Sequence, residues 1–134
     1  MKFVVPGKKF ESMAPMCTGK GDYVSIPVGG DGLMAIVDIE DRWLLQWRWS
    51  PWRGRRNLHY YPVRGIRIGK TVFQLHMSRF ICGALPGERV SHHDRNSLNC
   101  RKTNLLLNGE CLLDTDRSKI TKENYEDYLS VYLS

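Results

Sequence analysis

Val90-Ser91-His92-His93-Asp94-Arg95-Asn96-Ser97-Leu98-Asn99-Cys100-Arg101-Lys102-Thr103-Asn104-Leu105 packs histidine and three asparagines into a turn-like stretch between two apolar ends. Asn and Asp side chains bond nearby backbone and favour turns over regular ladders, so the stretch is expected as a loop leading into a short helix capped by Asn99. Upstream, Leu75 to Gly83 is expected as a helix that Gly83 ends, with Pro86-Gly87 turning the chain. Downstream, Thr121 can cap a helix over 121–133, with Tyr125, Tyr128, Leu129 and Tyr132 along one face.

Nearer the N-terminus, apolar runs alternate from Tyr23 to Ile39 around Gly29-Gly30-Asp31-Gly32, the pattern of a hairpin, and Asp38 to Leu45 reads as a helical turn or two. Trp47, Trp49 and Trp52 precede a basic loop around Arg53, Arg55 and Arg56, and Tyr60 to Phe73 reads as a second antiparallel set carrying Arg64 and Arg67. Trp47 and Trp49 are expected to divide between core and surface. The fold class is therefore α+β: a small N-terminal antiparallel β region, a compact core at about 72–108, and a C-terminal helix. An irregular arm over residues 1–22 and one domain over 23–134 describe the organisation.

The motif stretch resembles the core of HNH endonucleases of the homing type, the ββα-metal group. His92, Asn96, Leu98, Asn99, Arg101, Asn104 and Leu105 match that family's pattern of Asp-His, a Gly-Asn loop, Asp-Asn-Arg and Asn-Leu. The likeness extends upstream through Leu75-His76, Gly83 and Pro86-Gly87, and to Ala35–Asp41 and Trp49, as in phage and mobile-element members. Ser91 stands where the family has a metal-binding aspartate, Arg95 where a loop glycine is usual, and Leu106 where arginine is frequent.

The resemblance implies a metal-dependent endonuclease acting on double-stranded DNA, with His92 as general base and Asn96 orienting it. It further implies Mg²⁺, or Mn²⁺, held by Asn104 and Ser91, with Asp94 as a substitute anionic ligand if the loop turns it inward. His76 would brace the helix. Arg53, Arg55, Arg56, Arg64, Arg67, His93, Arg95, Arg101 and Lys102 are the candidate DNA contacts. The alternative stays open: a degenerate relative that binds DNA, or a protein partner through the tyrosine stripe, without cleaving, because Ser91 replaces the aspartate. Either a nicking monomer or a homodimer fits.

The formal charge of +6 and pI near 9.3 favour an anionic partner. No apolar run approaches membrane length and Pro6 interrupts the first apolar residues, so a soluble protein of a bacterial or phage-infected cytoplasm is expected. Cys17, Cys82, Cys100 and Cys111 form no Cys-x-x-Cys pair, so reduced thiols are expected. A structural Zn²⁺ on Cys82, Cys100 and Cys111 with a histidine is the lesser alternative.

Overall fold

A computed structural model describes residues 22–54, 59–117 and 119–132. The expected arm lies, but for Asp22, outside the described residues, as do Arg55 and Arg56. Strands β1 (Tyr23–Pro27) and β2 (Met34–Asp38) form the expected hairpin, with Ile26 opposite Ala35 and Val24 opposite Val37. Three consecutive residues are buried in the middle of each strand, so the hairpin is covered on both faces. A 3₁₀ helix over Ile39–Gln46 follows and sends Leu44 into the core.

Strands β3 (Ser50–Trp52), β4 (Tyr61–Ile68) and β5 (Thr71–His76) make an antiparallel sheet in that order. Helix α1 (Met77–Cys82) is shorter than expected because Leu75 and His76 remain in the ladder, opposite Arg64 and Val63. Gly83 ends it in the left-handed region, φ 65° and ψ 35°, its N–H reaching Phe80 O.

Strands β6 (Val90–His92), β7 (Leu105–Leu107) and β8 (Glu110–Cys111) form a second three-stranded sheet. Here the expected core requires correction. Its strand pair, β6 with β7, is present, but no helix starts at Asn99: Asn99 makes an isolated bridge, 100 and 101 are irregular, and 102–104 form a turn. After β7 the chain reverses through Asn108 (φ 55°) and Gly109 (φ 85°), a two-residue Asn-Gly turn, into β8 and a 3₁₀ helix at Leu112–Asp114. The observed architecture is mixed α and β with small antiparallel sheets and few helices, and a ββα unit is not formed over 90–114.

Helix α2 (Tyr125–Tyr132) begins four residues after Thr121, because Thr121 and Asn124 close a turn first. Asn124 Oδ1 accepts the Thr121 N–H at 2.8 Å while Thr121 Oγ1 accepts the Glu123 N–H at 3.3 Å. Tyr128 is buried and donates its hydroxyl to Ala84 O at 2.6 Å, with Tyr125 and Leu129 packed beside it. One core thus gathers β1, β2, α1, the second sheet and α2.

The tryptophans do not divide as expected. Trp49 is 1% exposed and donates Nε1–H to Leu44 O at 2.9 Å, and half-buried Trp47 joins the same aromatic group with Trp43, Phe80 and Tyr125. Their ring centroids lie 6.5 Å apart. Positions two apart in extended backbone point to the same side, so shared packing is the geometric default.

Candidate nucleic-acid interface and motif loop

The motif loop is organised around Asp94. Its Oδ1 accepts the Asn96 N–H at 2.8 Å and Asn104 Nδ2–H at 2.9 Å, and its Oδ2 accepts Asn99 Nδ2–H at 3.0 Å. Asn104 replies by accepting the Asp94 N–H on Oδ1 at 3.0 Å and by donating to Asn99 O at 2.9 Å. Three asparagines and one aspartate therefore satisfy one another around a turn, the arrangement a charge-assisted network needs to hold a loop in one shape. Arg95 rides the bend at φ 62°, where a β-carbon is resisted and a glycine would sit without strain.

The loop also joins the N-terminal hairpin. Ile36 N–H donates to Leu98 O and Cys100 N–H donates to Ile36 O, both at 2.8 Å, which extends β2 by a parallel bridge to Asn99. Arg101 Nε lies 2.9 Å from Asp38 Oδ1, and Lys102 Nζ lies 2.6 Å from Asp41 Oδ2 and 2.7 Å from Glu40 Oε2. Burial alone would lower the Lys102 pKa, but Asp41 and Glu40 outweigh it and keep the ammonium charged. Arg101 and Lys102 are 3% and 4% exposed. Expected at phosphates, they instead tie the loop to the acidic run Asp38-Ile39-Glu40-Asp41.

His92 ends β6, half-buried, with its ring centroid 6.2 Å from that of Tyr61. Burial pushes its imidazole down to about 4, with His76 adding to the shift and Asp94 opposing it. The ring is therefore neutral at physiological pH, and its buried Nε2 finds no hydrogen-bond partner among the described residues. Asn96, expected to orient it, accepts the Leu98 N–H on Oδ1 at 3.1 Å and shapes the turn. His76, lowered by burial and by Arg79, is braced edge-on by Trp52 at 5.1 Å.

The residues expected to hold Mg²⁺ do not fit it. Ser91 is exposed and strand alternation directs it away from the face of His92. Asn104 is 2% exposed, with both ends of its amide engaged inside the loop. Asp94 does turn inward, but both its oxygens serve the asparagines. Among the described residues no group of three or more His, Cys, Asp or Glu side chains converges as a metal site. Of the three cysteines expected for zinc, Cys82 and Cys100 are buried, burial raising both thiols, while Cys111 is exposed.

Nine of the remaining cations share one acid-free part of the chain. Residues 42–87 hold Arg42, Arg48, Arg53, Arg55, Arg56, Arg64, Arg67, Lys70 and Arg79, nine of the twenty Lys and Arg, while all fourteen Asp and Glu lie elsewhere. Charge asymmetry along the chain, rather than net charge, was the signal for this surface. Arg42, Arg48, Arg53, Arg67 and Lys70 are exposed; Arg53 also lies over the Tyr60 ring at 5.2 Å. Arg64 stacks on Trp47 at 4.2 Å, and Arg79 donates to Glu88 O and Leu85 O, so both are structural. His93 and Arg95 are exposed on the motif loop. No helix among the described residues is long and apolar enough to cross a membrane. Compared with protein-family models, with curated proteins and with solved structures, the chain matches none.

Proposed function

We propose that this chain is a DNA-directed protein whose work is to bind double-stranded DNA through residues 42–87. The observation that carries this reading is the run of nine cations and no acid over those residues, of which Arg42, Arg48, Arg53, Arg67 and Lys70 are exposed, the last two towards the tip of the β4–β5 hairpin. Duplex DNA neutralised by such a surface releases counterions, so log K falls by about 0.9 per decade of salt for each phosphate contacted. Fluorescence anisotropy with a labelled duplex across a salt series tests it. Arg67→Gln with Lys70→Gln is expected to reduce the slope by about 2; an unchanged slope and affinity would sink the reading.

Hydrolysis of DNA at His92 is the second reading, favoured by one observation: a neutral imidazole with an unpartnered Nε2 is the form a general base requires. Ser91 and Asn104 weigh against it, since neither is placed to hold a cation. Incubation of supercoiled plasmid with Mg²⁺ or Mn²⁺ separates the two. Nicking that vanishes in His92→Ala would establish hydrolysis, whereas intact DNA binding with no nicking under either metal is the outcome expected of a protein kept for binding.

A further inference from the structure

We propose that the β4–β5 hairpin enters duplex DNA as an apolar wedge, Phe73, Ile68 and Val72 pressing between base steps while Arg67 and Lys70 hold flanking phosphates. The proposal rests on the duplex-binding reading and specifies how its surface engages the partner.

The register shows how the wedge is built. Leu75, Phe73 and Thr71 share one face with their partners Arg64, Ile66 and Ile68. At the base of the hairpin this face is core: Leu75 is 1% exposed and Ile66 packs against the cluster. Towards the tip the apolar series continues past the edge of the core, with Phe73 38% and Ile68 43% exposed. On the opposite face Val72, 46% exposed, pairs with Arg67 and leans over Gly65, its Cγ1 3.3 Å from where a β-carbon there would stand.

Apolar groups on both faces of a projecting two-stranded ribbon give a wedge rather than a flat docking face. The tip turns through Gly69 and Lys70, with Arg67 and Lys70 exposed, and no carboxylate lies within residues 42–87 to repel a phosphate. Grooves admit such a ribbon, and apolar side chains inserted between base steps kink duplexes by roughly 20–90°. Charge complementarity favours DNA over an apolar protein partner.

The test uses the full chain and a short duplex carrying a donor and acceptor at its ends and 2-aminopurine at its centre. The wild type is expected to raise 2-aminopurine emission and end-to-end transfer, reporting a kink of roughly 20° or more. Phe73→Ala and, separately, Ile68→Ser should lose both signals while keeping the salt slope; Arg67→Gln with Lys70→Gln should keep the kink at saturation. If Phe73→Ala fails to fold by circular dichroism, Ile68→Ser decides. Binding by the wild type without either optical change overturns the wedge and leaves the DNA reading standing, and absence of binding overturns both. Capture of phosphatidylserine vesicles by the wild type and not by Ile68→Ser, without any DNA kink, overturns the wedge, as does a dimer that Ile68→Ser dissolves.

Discussion

At the level of single residues, His92 couples the motif to pH. Its folded pKa of about 4 lies below the ordinary histidine value, so the unfolded chain takes up its proton first as pH falls. The stability it contributes is complete above about pH 6.5 and is lost as pH drops towards 4, on the order of 2–3 kcal/mol. His76 is shifted the same way. Melting curves from pH 7.5 to 4.5 should therefore show a falling Tm, and His92→Gln should flatten the fall to the part His76 supplies; an identical fall in that variant would refute the assignment. Arg95 offers the complementary test. A left-handed L-residue costs about 1–2 kcal/mol, against roughly 0.5–1 kcal/mol of extra unfolded freedom for glycine. Arg95→Gly is thus expected to raise Tm slightly, and a lowered Tm would show that the arginine side chain contributes more than its backbone costs.

Between elements, the pairing of Arg101 and Lys102 with the Asp38–Asp41 run fastens the motif loop to the N-terminal hairpin. Lys102→Met would leave Asp41, 3% exposed, as a buried carboxylate without its cation. Removing one partner of a buried pair costs on the order of 3–5 kcal/mol, so denaturant titration should reveal a large loss, while the Glu40 contact, whose side chain is 57% exposed, contributes little. If Lys102 instead met phosphate, stability would change little and the salt slope would drop. The C-terminal helix gives a smaller test: Tyr128→Phe removes the hydroxyl bond to Ala84 O and is expected to cost about 1 kcal/mol, read by the same titration.

For the molecule as a whole, the charge division makes a spatial prediction. Lys119 and Lys122 are exposed and lie outside residues 42–87, so Lys119→Gln with Lys122→Gln should leave duplex affinity and its salt slope unchanged. An equal loss for these and for Arg67→Gln with Lys70→Gln would mean that net charge, and not the central sheet, governs binding.

Much of this was legible in the residues themselves. The hairpin around Gly29–Gly32, the αL stop at Gly83, the C-terminal amphipathic stripe and the turn character of 94–99 follow from local chemistry: spacing of apolar positions, positive-φ residues, and short polar side chains that bond nearby backbone. The Asn108-Gly109 turn was equally local and announces β8, although the expectation of a short helix from Asn99 left no place for a hairpin there. Only the tertiary structure decided what the charged and polar residues do. Arg101 and Lys102 find carboxylates 61–63 residues away, Asn104 turns inward to Asp94, and His92 loses its water. Burial and long-range pairing depend on how distant segments pack, and the same lysine is a phosphate ligand in water and a core cation beside Asp41.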